Sequence, residues 1–167
     1  MTVSVFVRSY THSVTYVTDS ILRSLKDILW LSGLDPGRLA RNWDVLQCGI
    51  GTWIHSGHLE LIVLEVWNPA TGALVGRWDV EIVYAYSDGD GAFWTDTDAI
   101  QYAIKKAGAY PGTCSYDIKV CTKVGAPEVG GWGPTTLRST RGFVVQSIGS
   151  TVEANGLSGS FRYYRRT

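Results

Sequence analysis

The chain has 167 residues, and its 15 Lys plus Arg balance its 15 Asp plus Glu, so the formal net charge is zero. That length holds one domain with a sizeable core and is short for two. An apolar content of 45% argues against disorder, and the lack of a basic excess argues against direct nucleic-acid binding through phosphates.

The N-terminus, Met1-Thr2-Val3-Ser4-Val5-Phe6-Val7-Arg8, has no basic leader, long apolar run or cleavage site, so it does not read as a signal peptide. Over residues 3–17 apolar side chains fall at alternate positions (Val3, Val5, Val7, then Val14, Tyr16), which predicts an edge strand or a partly loose arm. Residues 19–32 change period. Ile21, Leu22, Leu25, Ile28 and Leu29 form one helical stripe, with Thr18 or Asp19 to cap it and Gly33 to end it. Asp35 and Pro36 open a second helix, whose apolar positions are Leu39, Trp43, Leu46, Ile50 and Trp53. Gly49 and Gly51 inside it predict a bend or close packing.

Residues 58–67 and 73–86 read as two strands joined by the turn Asn68-Pro69-Ala70-Thr71-Gly72. The first is interrupted by Glu60 and Glu65 and is too short to cross a bilayer. In the second, Trp78, Val80, Ile82 and Tyr84 alternate with Arg77, Asp79 and Glu81, predicting one buried and one wet face. The loop Ser87-Asp88-Gly89-Asp90-Gly91 precedes a third helix, capped by Thr95 with Asp98 as its capping-box partner and ended by Gly108. A strand follows at about 115–123, with Tyr116, Ile118 and Val120 on one face. From residue 125 the chain is rich in Gly, Ser and Thr, with strand-like stretches only near 142–148 and 159–164. A tail of this kind is either a belt laid over the domain or a mobile segment. Helices on one face of a mostly antiparallel sheet make the fold class α+β.

Catalytic chemistry is weakly signalled. Asp88, Asp90, Asp96 and Asp98 could hold a hard cation and support a small metal-dependent enzyme, but turn residues followed by carboxylates at a helix start explain the same pattern. His55, His58 and Cys48 fall short of a zinc set. Neither Cys114 nor Cys121 has an activating context, and there is no nucleophile elbow or phosphate loop. No catalytic residue, metal or cofactor is therefore assigned. The three cysteines, odd in number and without close pairing, suit buried thiols in a reducing compartment, which points to the cytoplasm. Gly130-Gly131-Trp132-Gly133 reads as a flexible turn, and Trp30, Trp43, Trp53 and Trp78 as core residues. An edge strand beside a long belt permits peptide capture by strand addition, as one possibility among several.

Many short motifs in order carry a more specific likeness. Ser9-Tyr10-Thr11-His12-Ser13-Val14-Thr15-Tyr16-Val17-Thr18-Asp19, Ser24-Leu25-Lys26-Asp27-Ile28 and Leu31-Ser32-Gly33-Leu34-Asp35-Pro36 resemble the N-terminal part of bacterial HORMA-domain proteins from CBASS antiphage operons. Asn68-Pro69-Ala70-Thr71, Arg77-Trp78-Asp79, Phe93-Trp94-Thr95-Asp96-Thr97, Tyr102-Ala103-Ile104-Lys105-Lys106-Ala107-Gly108, Arg138-Ser139-Thr140 and Ser147-Ile148-Gly149-Ser150-Thr151-Val152-Glu153 continue it to about residue 164.

The resemblance implies a single HORMA domain: three helices on the sheet, a flexible N-terminal arm at about 1–10, a core at about 11–124 and a C-terminal safety belt at about 125–167. It implies a signalling adaptor, not an enzyme, that captures a closure-motif peptide under the belt and activates a cGAS-like nucleotidyltransferase. A AAA+ ATPase remodeller would open it, with the arm as the handle. Being the companion HORMA protein that is itself bound is the alternative role. Carried onto this chain, the peptide edge is Ser115, Tyr116, Asp117, Ile118, Lys119, Val120 and Cys121. The belt contacts are Phe143, Val144, Val145, Gln146, Ser147 and Ile148.

Overall fold

The structure, a computed structural model, describes residues 2–87, 91 and 93–166, with side chains described from residue 10 onward. Among the described residues, four helices lie against one six-stranded sheet in which every pair of neighbours is antiparallel. The architecture is α+β.

The first helix, α1 (Thr2–Leu31), is a single element of 30 residues, about 45 Å long at ~1.5 Å per residue. The strand expected over 3–17 is instead helical. Val14, Val17, Ile21, Leu25 and Ile28 repeat at steps of three and four, and all are buried. Val14, one of the residues that suggested a strand, belongs to that stripe. Trp30 follows Leu29 around the helix and falls off the stripe, so it is 66% exposed rather than buried. Gly33, at φ 91°, lets the chain turn out of the helix.

The second expected helix is divided at Asn42 into α2 (Gly37–Arg41) and α3 (Trp43–His55). Asp35 bonds the Gly37 amide through Oδ1 at 2.9 Å. On α3, Leu46, Ile50, Trp53 and Ile54 are buried, whereas Cys48 lies on the opposite side and is exposed; Cys114 and Cys121 are half-buried. The last helix, α4 (Thr97–Ala107), is capped by Asp96, whose carboxylate accepts from the Ala99 amide at 3.0 Å. Asp98 stands in its first turn, and Thr95 belongs to a short strand. Asp88 and Asp90 lie outside the described residues.

The strands are β1 (Leu59–Trp67), β2 (Leu74–Tyr84), β3 (Phe93–Thr95), β4 (Ser115–Thr122), β5 (Phe143–Ala154) and β6 (Leu157–Arg166). Their order across the sheet is β3-β5-β6-β2-β1-β4. The inward faces of β1, β2 and β6, with Ile62, Leu64, Trp78, Val80 and Phe161, pack on the stripes of α1 and α3. Each such side chain contributes about 1.5–3 kcal/mol by leaving water.

Two features position the functional site. First, β5 and β6 form a hairpin closed by Asn155 (φ 53°) and Gly156 (φ 91°), and β6 pairs with β2 along its length. Second, the connection from β4 to this hairpin, residues 123–142, has no regular structure and crosses from the β4 edge to the far side of the sheet. The face of β2 expected to be wet is so at Glu81 but covered at its other two positions: Arg77 is 7% exposed, and Asp79 and its neighbour Glu65 on β1 are fully buried. Ion pairs from the C-terminal segment explain why.

Candidate functional site: a sheet edge under a pinned strap

β4 pairs with β1 on one side only and ends the strand order. Its other edge, among the described residues, meets no strand, so a row of backbone donors and acceptors faces outward, a template for one more strand. Over this edge the segment 126–138 forms a strap, separated from it by an open groove of about 1420 Å³. The groove is walled by Ile118 and Val120 of β4, Trp53 of α3, and Pro127, Val129 and Trp132 of the strap.

The strap is fastened at both ends. On the helix side, the Trp53 indole donates from Nε1 to the Pro127 carbonyl at 2.7 Å, and the Trp132 indole donates to the Val45 carbonyl at 2.9 Å. The two rings meet edge to face at 5.1 Å between centroids, an arrangement that suits the aromatic quadrupoles. Trp132 lies over Gly49, in space that a Cβ at that position would invade. Gly131 takes φ 88° beside Val45, and a Cβ there would come within 2.7 Å of Val45 Cγ1. The Gly-Gly-Trp-Gly stretch is therefore a docked wedge, not a free turn.

At the other end, Glu65 is a buried carboxylate that gathers the strap. Arg138 donates its backbone amide to Glu65 Oε2 and its Nη1 to Oε1, both at 2.7 Å. Lys119 on β4 donates from Nζ to Glu65 Oε1 and to the Thr136 carbonyl, both at 2.6 Å. The Arg138 guanidinium also reaches Asp117 at 3.2 Å and the Gly72 carbonyl at 3.1 Å, and it stacks 4.2 Å over the Trp67 ring. Burial by itself raises the Glu65 pKa, but the hydrogen bonds from Lys119 and Arg138 outweigh it and hold the carboxyl below its ordinary value. The buried charge is thus matched by two cations and a backbone donor, which a carboxylate at this depth requires.

A second fastening holds the hairpin on β2. Asp79 accepts from Arg77 Nε at 2.7 Å, from Arg162 Nε at 3.0 Å and from Tyr164 Oη at 3.1 Å. Arg162 and Tyr164 belong to β6, so this carboxylate joins the C-terminal hairpin to the core.

The sequence-predicted edge residues are brought together as one strand. Tyr116, Ile118 and Val120 face the helices, and Asp117 and Lys119 face the strap latch. Tyr116 is fixed by accepting from the Leu39 amide at 3.2 Å and donating to the Asp35 carbonyl at 3.0 Å. Phe143, Val144, Val145, Gln146, Ser147 and Ile148 lie elsewhere. They form the start of β5, paired with Arg166 to Arg162 of β6, four strand steps or about 19 Å from β4 at ~4.8 Å per step. The residues that wall the groove, from Pro127 to Arg138, carry no periodic pattern; their signals were the paired tryptophans and the glycines around Trp132.

His58 bonds Ser56 through Nδ1 at 2.7 Å, and the His55 ring packs on Tyr10 at 5.2 Å. Among the described residues no three His, Cys, Asp or Glu side chains stand together as a metal set, and no helix is long and apolar enough to cross a membrane.

No curated protein sequence matches the chain. Solved structures do. A chain of the Mitotic Checkpoint Complex superimposes with a TM-score of 0.73 at 12% identity, covering 93% of this chain and 99% of that one. HTP-2 of C. elegans bound to the HIM-3 closure motif gives 0.63 at 14% identity, covering 91% and 86%. The E. coli MS115-1 CdnC:HORMA-deltaN complex gives 0.60 at 10% identity, covering 94% and 89%. At these identities the likeness speaks for the fold. The bacterial HORMA domain 2 family model matches residues 1–167, and the chain belongs to that family.

Proposed function

We propose that this protein is a signalling adaptor of antiphage defence that captures a closure-motif peptide as an added strand on β4, beneath the strap 126–138. The observation that carries the reading is the groove between an unpaired sheet edge and a segment pinned at both ends. Backbone pairing along β4 supplies affinity, and alternate side chains supply selectivity. A strap closed over the peptide slows its escape, because release requires undocking Trp132 or breaking the Glu65 latch. The solved complex of HTP-2 with a closure motif has the same fold and supports capture of a closure motif.

The partner in this reading is a cGAS-like nucleotidyltransferase, whose synthesis of a nucleotide second messenger the closed protein turns on in the cytoplasm. The fold shared with the HORMA chain of the CdnC complex supports it. A AAA+ remodeller returns the protein to the open state by pulling on the N-terminal residues 1–10. In this scheme the chain binds and does not catalyse.

The test is to mix the purified protein with the nucleotidyltransferase encoded beside it and follow cyclic-oligonucleotide synthesis, with a pull-down in parallel. Binding with stimulated synthesis is the expected outcome. Absence of both binding and stimulation rejects the activator role.

A further inference from the structure

Beside the main groove lies a second recess of about 270 Å³, whose lining includes the apolar Leu39, Val45, Leu46, Tyr116, Ile118 and Trp132 together with the polar Arg38, Asn42 and Asp117. It is not a separate site. Both cavities border on Ile118 and Trp132, so the indole of the strap wedge is a partition between two seats along one strand. One seat is framed by Tyr116 and Ile118 with the α2–α3 corner. The other is framed by Ile118 and Val120 with Trp53 and Val129.

The spacing and the chemistry of the seats define what fits. Tyr116, Ile118 and Val120 point to the same face of β4, two residues apart, about 6.6–7 Å. A strand laid beside β4 presents its own alternate side chains at the same interval. The Tyr116 hydroxyl is already bonded to Leu39 and Asp35, and both indole N–H groups are committed to backbone carbonyls. Lys119 and Arg138 are held by Glu65 on the opposite face of the sheet. The inward part of the groove, framed by Ile118, Val120, Trp53 and Val129, is therefore apolar, while Asp117, Lys119, Thr122, Glu128 and Arg138 line the rest of it. At the rim of the smaller seat, Arg38 lies over the Tyr116 ring at 4.6 Å and 3.7 Å from Asp117.

Resting on the peptide-capture reading, we infer that the captured peptide carries two large apolar side chains at positions i and i+2. One enters the recess framed by Tyr116 and Ile118 with Leu46. The other enters the groove framed by Ile118 and Val120 with Trp53 and Val129. Trp132 separates them, so the strap that retains the peptide also sets the register in which it is read.

A displayed library of random 12-residue peptides, selected on the full-length protein, tests this. Enriched sequences should share two large apolar residues separated by one variable position. Selection on Leu46→Phe, which fills the smaller seat from its floor, should shift one of those positions to small residues and leave the other unchanged. Val45→Trp, at the exposed rim, should do the same if the first variant does not fold. Replacing the affected anchor by Ala in a selected peptide should weaken binding to the parent protein about tenfold or more, and binding to the filled variant much less. Enriched peptides without such a pair, or the same consensus on the filled variants, would overturn the two-seat inference while capture itself stands. If no library member is retained by the parent protein, peptide capture is rejected and the inference falls with it.

Discussion

The Trp132 indole rests on Gly49, in the space that any side chain at position 49 would occupy. Glycine inside a helix normally costs about 0.5–1 kcal/mol relative to alanine, so α3 gives up helix stability to seat the strap. This makes the sign of a substitution depend on the partner. Gly49→Ala should destabilise the protein and speed proteolytic cleavage within 126–138. In a Trp132→Ala background the same change should stabilise it by about 0.5–1 kcal/mol. Urea denaturation of the four proteins in the cycle reads the coupling, and additive effects would show that the wedge is not held at this notch.

Glu65 fastens the other end, and its removal should be costly. Glu65→Gln leaves Lys119 and Arg138 without their buried counter-charge and turns an amide group toward donors. Breaking one side of a buried pair typically costs about 3–5 kcal/mol. The expected signature is a loss of this order in equilibrium stability, with hydrogen exchange in the strap accelerated more than in α1 or α4. A loss confined to stability, with strap exchange unchanged, would mean that Glu65 supports the sheet and not the strap.

These fastenings mark where the sequence stops being legible. The stripe of α3, the turn at residues 68–72 and the edge strand 115–122 follow from periodicity and turn chemistry, and so does the class of the fold. The unbroken α1 was obscured because Val3, Val5 and Val7 alternate with the period of a strand, whereas the helical stripe is explicit only from Val14 onward. The C-terminal hairpin was readable in principle: Asn155-Gly156 is a strong two-residue hairpin signal, yet the Gly- and Ser-rich flanks mask the strands around it. Glu65 and Asp79 are different in kind. Each is one charged residue in an ordinary alternation, and only the return of Arg138, Arg162 and Tyr164 from more than 70 positions away in the chain makes it buried. Long-range pairing of this kind leaves no local pattern. The same holds for the strap, whose fixed path depends on two indole bonds rather than on any repeat.

Acid should act on the strap through Glu65. Its folded pKa lies below the ordinary 4.5, because the Lys119 and Arg138 bonds overcome the opposing effect of burial. A depressed carboxylate stabilises the fold above its unfolded pKa, and that contribution is lost as pH falls through the folded value. Stability measured by denaturant should therefore be level near neutrality and decline below about pH 4.5, less steeply in Glu65→Gln. Alkali acts in the opposite sense on Tyr110, whose buried hydroxyl is pushed up to about 12 by burial, with the Trp78 bond opposing. A raised pKa gives stability that is present below the unfolded value of 10.0 and disappears as pH climbs toward 12. Tyr110→Phe should flatten that upper limb without changing the acid one. An acid limb identical in the parent and Glu65→Gln would assign the decline to other carboxylates.

The Asp79 fastening should govern the hairpin independently of the strap. Asp79 is fully buried, and Arg77 beside it is 7% exposed; burial opposes the charge on Arg77, but the bonds to Asp79 outweigh it and raise its pKa. Arg162→Met removes the charged bond from β6, with that of Tyr164 remaining, and leaves Arg77 to neutralise the carboxylate. The expected cost is modest, about 1–3 kcal/mol for lost charge-assisted bonds, and it should appear as faster hydrogen exchange in β6 and in its partner β5. Asp79→Asn instead strands Arg77 in the interior and should cost more than Arg162→Met. In both variants the proteolytic susceptibility of 126–138 should stay at the parental level, because Trp132 and Glu65 are untouched. Strap cleavage that rises in step with β6 exchange would show that the two fastenings release as one cooperative unit, so that breaking either frees the whole C-terminal segment.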